Sequence, residues 1–143
     1  MRLHPAIPVY VILFACSSLF VKTYGQDKLD SLLRVDREQV NDNKDKVNLW
    51  VEIAKEYQYT NTTAGIVYAD KAIAAAKRLH AADELGNALD AKGQLYYRSG
   101  QHKEAIASLD SALEILKKTD NRRGMSKFAI VLTKILRDSQ SLI

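Results

Sequence analysis

An all-helical domain is what this sequence predicts, and three observations predict it. The only prolines, Pro5 and Pro8, lie close to the start, so no helix breaker interrupts the rest of the chain. The chain is rich in Ala, Leu, Lys, Asp and Gln after residue 25, and β-branched runs are scarce. Apolar residues recur there at helical spacing, in stripes separated by short polar segments. At 143 residues, with 47% apolar and 27% charged side chains, the chain has the size and balance of one modest globular domain.

The first 25 residues stand apart. A basic end at Arg2 precedes an apolar run from Ala6 to Val21, and the polar exit Lys22-Thr23-Tyr24-Gly25 follows. Sixteen residues, Ser17 and Ser18 among them, fall short of the roughly 20 that a membrane span requires. Thr23 and Gly25 place small residues at −3 and −1 of a cut before Gln26. The expectation is a cleaved secretory signal over 1–25 and an exported domain over 26–143, periplasmic or at the cell surface of a bacterium. Two alternatives keep the chain at a membrane: retention of the segment as an anchor, or lipidation of Cys16, because Ile12-Leu13-Phe14-Ala15-Cys16 resembles a permissive bacterial lipobox. Cys16 is the only cysteine, which leaves the domain without disulfide or thiol chemistry.

The formal charge of +4 looks basic, but Arg2 and Lys22 contribute two of the 21 basic residues, leaving 19 against 17 acidic ones in the domain. Both signs are interspersed, and a nucleic-acid partner is not expected.

A leader helix is expected over 27–40, with Leu29, Leu32 and Leu33 on one face; the polar run Asn41 to Asp45 ends it. Over 44–80 two helices follow. Val47, Trp50, Ile53, Ala54 and Tyr57 stripe the first, and Ile66, Ala69, Ala72, Ile73, Ala76 and Leu79 the second. The Thr60 to Thr63 segment between them offers N-cap side chains. Over 82–118 comes another pair, striped by Leu85, Ala88, Leu89, Gly93 and Tyr96, then by Ala105, Ile106, Leu109, Ala112, Leu113 and Leu116. Gly100 is placed to cap the first of these at its C-terminus. A terminal helix over 121–139 turns Met125, Phe128, Leu132, Ile135 and Leu136 inward. With Ile130 and Val131 it carries more large apolar residues than one buried stripe absorbs, so it is expected to cap poorly and to seek a partner, either a second copy or further repeats of a longer protein.

The two pairs are copies of one pattern. Trp50 to Leu89 and Tyr57 to Tyr96 are 39 residues apart, and Ala72 to Ala112 is 40. The second pair resembles the tetratricopeptide repeat (TPR) through Leu89, Gly93, Tyr96, Gly100, Ala105, Leu109 and Ala112, and departs from it at Lys92 and Lys117. The first resembles it through Trp50, Ile53, Ala54, Tyr57, Ala69 and Ala72, with Gly65 where Ala is usual and a turn one residue short. The resemblance implies a right-handed helical solenoid of about two repeats, a leader helix and a terminal capping helix. It also implies that Gly93 and Ala105 mark a close approach of antiparallel helices, with Tyr96, Leu109 and Ala112 filling the seam.

By family geometry the concave, partner-binding face takes Asn48, Val51, Lys55 and Gln58 from the first repeat and Asn87, Asp90, Gln94 and Tyr97 from the second. Val51 and Ala91 depart from the family's carboxylate-clamp version at its Lys and Asn slots. Signal, leader helix, repeats and "DNRRGMSK" together are similar to extracytoplasmic input regions of bacterial sensors, which implies an exported scaffold for a protein or peptide. The alternative is a lipid-anchored TPR protein of a surface uptake or assembly complex.

No catalytic residue, cofactor or metal is expected. Outside the leader the histidines are His80, at a helix end, and His102, expected as a solvated turn residue. The carboxylate pairs Glu52/Glu56 and Asp110/Glu114 have no histidine at ligand spacing. Asn61-Thr62-Thr63 fits a glycosylation sequon, but capping accounts for it.

Overall fold

The structure, a computed structural model, describes residues 26–39, 41 and 43–140. The signal and lipobox expectations over 1–25 lie outside the described residues. All regular structure among the described residues is helical: α1 over 26–38, α2 Lys44–Tyr57, α3 Thr62–Arg78, α4 Ala82–Arg98, α5 His102–Lys118 and α6 Arg122–Gln140. None of these helices is long and apolar enough to cross a membrane.

Side-chain caps open three of the helices. Asn43 accepts from Lys46 N at 2.8 Å, Asn61 from Ala64 N at 3.0 Å and Asn121 from Gly124 N at 3.0 Å, each satisfying one amide that the first turn leaves without a partner. Within the Thr60 to Thr63 segment it is thus the asparagine that caps.

The turns after α3, α4 and α5 are one motif, repeated at 20-residue intervals. In each, two amides return to the last turn of the helix: His80 N to Lys77 O and Ala81 N to Ala76 O, Gly100 N to Tyr97 O and Gln101 N to Tyr96 O, Asp120 N to Lys117 O and Asn121 N to Leu116 O. The pattern requires a left-handed residue at its centre. Gly100 fills it with φ +78°, whereas His80 and Asp120 fill it with φ +50° and +52°. A β-carbon there faces the following carbonyl at a cost of about 1 kcal/mol. His80→Gly and Asp120→Gly are each expected to raise stability by roughly 0.5–1 kcal/mol. Urea denaturation checks this; an unchanged or lowered midpoint would show the turn is not left-handed. The α2–α3 turn is built differently, with Thr60 N and Asn61 N both returning to Tyr57 O and no positive φ.

Neighbouring helices run antiparallel and alternate ones parallel. Gly93 of α4 meets Leu109 and Ala105 of α5, while Gly86 meets Leu116, so α4 and α5 run in opposite directions. α4 and α6 run the same way, because Asn121 Nδ2 donates to Asp83 Oδ1 at 3.2 Å near their starts and Tyr97 donates to Asp138 near their ends. α2 packs on α3 and α4, α3 on α4, α4 on α5 and α6, and α5 on α6. α4 therefore packs in parallel against α2 and against α6.

Small residues set the spacing of these joints. Ala69, Ala72, Ala75 and Ala76 of α3 and Ala88 of α4 are fully buried, and with Val47, Val51 and Ala91 most of them form one core cluster. Leucines of one helix seat on glycines of another: Leu95 on Gly65, Leu109 on Gly93, and Leu116 on both Gly86 and Gly124. A β-carbon at Gly65 would lie 3.0 Å from the Ala54 carbonyl oxygen. Ala54, Ala105 and Ala112 are fully buried; Trp50, Leu89 and Tyr96 are half-buried; Tyr57 stacks on Tyr68 with ring centroids 5.8 Å apart; and Gly100 is exposed. Lys92, in an otherwise apolar slot, threads its stem through the joint to pair with Asp70 of α3 at 2.7 Å, its ammonium 5.5 Å from the centroid of the Tyr96 ring.

The leader helix is tied at both ends. Lys28 donates to Glu56 at one end. At the other, Lys46 is 5% exposed and donates to the backbone carbonyls of Asp36 and Gln39, capping α1, while its ammonium lies 2.8 Å from Asp36 Oδ1. The same carboxylate oxygen accepts from Trp50 Nε1 at 2.6 Å. A buried ammonium is tolerable only with such a full set of partners. The Trp50 emission is expected to be blue-shifted in the native chain and to move red in urea. In Asp36→Ala it should move red without global unfolding, as α1 loosens; water-like native emission would contradict the docking of α1.

Candidate functional site

α2 and α4 lie side by side and parallel, joined through Val47 and Val51 on one helix and Ala88 and Ala91 on the other. Seven of the eight residues of the expected partner-binding face lie within these two helices and Gln58 is the C-cap of α2, in matched positions 39 residues apart. Asn48 and Asn87 are exposed, and Lys55, Gln58, Gln94 and Tyr97 are half-buried.

Two of the eight are used by the fold itself. Val51 is 3% exposed and fills the α2–α4 seam, so its side chain supplies no contact surface. The Tyr97 hydroxyl donates to Asp138 of α6, and its ring rests on the cluster that Ala105, Leu109, Phe128 and Ile135 form. Lys55 pairs with Glu52 on its own helix at 2.7 Å, a solvated i,i+3 contact that a partner displaces at little cost. Gln94 Nε2 donates to Asp90 Oδ2 at 2.9 Å, which fixes both side chains along α4. On this face Asn48 and Asn87 therefore present exposed amides, beside the half-buried Lys55, Gln58 and Gln94.

His102 is not the solvated turn residue expected. It opens α5, half-buried, with its ring 5.7 Å from that of Tyr97 and tilted by 50°. Its Nδ1 is enclosed without a hydrogen-bond partner among the described residues. The aromatic contact and the short α4–α5 turn draw it inward. His80, by contrast, is exposed at its left-handed turn.

The Tyr97 phenol titrates above its ordinary value. Its hydrogen bond to Asp138 is the chief cause, with burial and the negative charge of Asp138 adding, while Arg137 and Arg98 oppose. A pKa raised on folding contributes stability that is present below the ordinary tyrosine value near 10 and is lost as pH climbs through the raised one. Ultraviolet absorbance should therefore resolve a late-ionising phenol that Asp138→Ala returns toward the ordinary tyrosine value, leaving the raised step of Tyr68 in place. A titration that Asp138→Ala leaves unchanged would refute the assignment.

Asp36 and Lys46, which tie α1 to α2, and Asp138, which ties α6 to α4, were not singled out from sequence. The one trace was Lys46 lying four residues before Trp50 on the same helix face. Two shallow hollows of about 310 Å³ each flank the helices. One, lined by Asp30, Leu33, Asp36, Arg37 and Tyr68, lies between α1 and α3; the other, lined by Ala76, Lys77, His80, Ala81, Ala82 and Leu85, lies at the α3–α4 turn. Burial, and secondly the charge of Asp36, raises the Tyr68 phenol beside the first.

Compared with protein-family models, with curated proteins and with solved structures, the chain has no match in any of the three.

Proposed function

We propose that this chain is a TPR-like right-handed solenoid of about two repeats, exported by its first 25 residues, that holds a protein or peptide partner as the input part of a bacterial signal-transduction protein and performs no catalysis of its own. The observation that carries the reading is the recurrence of one joint: a helix pair closed by small residues, then a parallel step to the next pair, from α2 to α4 to α6. Such a joint holds its packing residues inside and leaves the face shared by α2 and α4 free to vary. Asn48, Asn87 and Gln94 carry amides that both donate and accept, as an extended peptide backbone requires, and Lys55 supplies a cation for an acidic side chain.

The test selects a random peptide library on the chain and measures the selected peptides again on the Asn48→Arg/Asn87→Arg variant. These exposed positions should accept Arg without loss of the fold, and affinity should drop at least about tenfold, the 1.4 kcal/mol typical of losing one or two buried hydrogen bonds. Peptides bound equally by the variant would contradict the placement of the face. Export is checked separately by the mass of the mature N-terminus: a start at Gln26 is expected, whereas a lipidated start at Cys16 would make the chain a surface lipoprotein.

A further inference from the structure

The near-balance of charge over the domain hides a division. Residues 26–121 hold 14 basic and 16 acidic side chains, whereas α6 holds five basic residues, Arg122, Arg123, Lys127, Lys134 and Arg137, and one acidic residue, Asp138. The chain therefore ends in a helix of charge +4 on a body of charge −2. Phe128 and Ile135 of α6 face the body at 5% and 2% exposure, while Ile130 and Leu136, about 120° apart around the helix, border its outer face at 59% and 53%.

The outer strip has a definite shape. Ala129, Thr133 and Leu136 follow one another at helical spacing on the exposed side, with Ile130 beside them. The Thr133 hydroxyl donates to the Ala129 carbonyl at 2.8 Å, so it makes no demand on a partner. The result is a shallow apolar seat over Ala129 and Thr133, edged by Ile130 and Leu136 and flanked by the exposed cations Lys134 and Arg137. Small residues between larger ones are what let a second helix approach closely, and the same device seats Leu95 on Gly65 and Leu109 on Gly93 inside this fold.

We propose that the outer face of α6 docks an acidic amphipathic helix of a partner protein, on a surface separate from the α2–α4 face. Charge decides the occupant. A second α6 would bring +4 against +4, which opposes pairing of two copies through this helix. A membrane surface shares the preference for cations, but helices that lie in lipid present bulky aromatic or leucine-rich faces. Here the only phenylalanine of α6, Phe128, is buried, and the centre of the strip is Ala129 and Thr133. An acidic helix satisfies both features, with its apolar ridge over Ala129 and Thr133 and its carboxylates beside Lys134 and Arg137.

The experiment titrates the full chain with a labelled, designed helical peptide carrying Leu at helical spacing and Glu elsewhere, read by fluorescence anisotropy. A charge-reversed Lys counterpart, phosphatidylglycerol vesicles and sedimentation of the chain alone run beside it. The acidic peptide should bind and the Lys peptide should not. Binding should weaken at least about tenfold in Ile130→Gln/Leu136→Gln and again in Lys134→Glu/Arg137→Glu, and fall with added salt. Circular dichroism confirms the fold of each variant, and the charge-reversed variant keeps the test decisive if the apolar one unfolds. Asn48→Arg/Asn87→Arg should leave this binding unchanged, which separates its outcome from that of the α2–α4 face. Failure of the acidic peptide to bind, equal binding of both peptides, binding indifferent to both α6 variants, vesicle binding in place of peptide binding, or a dimer that Ile130→Gln/Leu136→Gln dissolves would each overturn the proposal.

Discussion

Gly93→Leu is expected to cost about 3 kcal/mol or more, at the upper end of what overpacking a core costs, and to lower Tm by roughly 10 °C. A β-carbon alone at this position would stand 2.6 Å from Leu109 Cγ, 2.9 Å from its Cδ2 and 3.3 Å from the Ala105 carbonyl oxygen. Leu109 is fully buried, and the clashing atom is its branch point, which cannot swing aside as a chain end can. The helices must therefore move apart, and the apolar clusters that α4 joins open with them. Gly93→Ala should already destabilise. Gly100→Ala supplies the contrast, because nothing lies within 4 Å of a β-carbon there and only the φ of +78° is penalised. That variant should lose about 1 kcal/mol, so the ratio of the two losses measures space against backbone strain. A Gly93→Leu chain that melts with the wild type would show that α4 and α5 do not meet here.

Leu116→Ala should cost about 3–5 kcal/mol, the upper part of the range for a buried leucine. Its side chain is 1% exposed and wedged between two backbones: β-carbons at Gly86 and Gly124 would lie 2.8 Å and 2.7 Å from its methyls. Truncation leaves a hole where α4, α5 and α6 meet, and glycines on two sides have no side chains to collapse into it. Single Gly86→Ala or Gly124→Ala changes should destabilise the wild type yet recover stability in the Leu116→Ala background. Denaturant midpoints of the four chains of either double-mutant cycle decide it. Additive losses would mean that the three residues do not share one space.

The helices and their pairing were legible in the sequence because the stripes and the 39- to 40-residue spacing are local periodicities. Helix ends were less so. The leader helix expected over 27–40 spans 26–38, because Lys46 reaches back to cap its carbonyls, an interaction across ten residues that no periodicity encodes. The face residues show the same limit. Asn48 and Asn87 are exposed as expected of a helix surface, but Val51 sits in the seam because α4 approaches closely on Ala88 and Ala91. Tyr97 is engaged by Asp138, 41 residues away, and His102 leans on Tyr97; both depend on how α6 and α5 settle, which single-sequence spacing does not state. The division of charge between α6 and the body was present in the sequence but invisible until the helix had an outer face.

The proposed repeat requires that α6 run parallel along α4 as α4 runs along α2. Cysteine cross-linking tests it most directly, in a Cys16→Ser chain that carries no other thiol. Side chains of Asp83 and Asn121 meet near the starts of α4 and α6, and those of Tyr97 and Asp138 near their ends. Cysteine pairs at 83/121 and at 97/138 should therefore both join rapidly through a short dimaleimide, and the crossed pairs 83/138 and 97/121 should not. Joining of the crossed pairs would mean that α6 runs against α4, and the recurring parallel step, with the binding faces derived from it, would be contradicted.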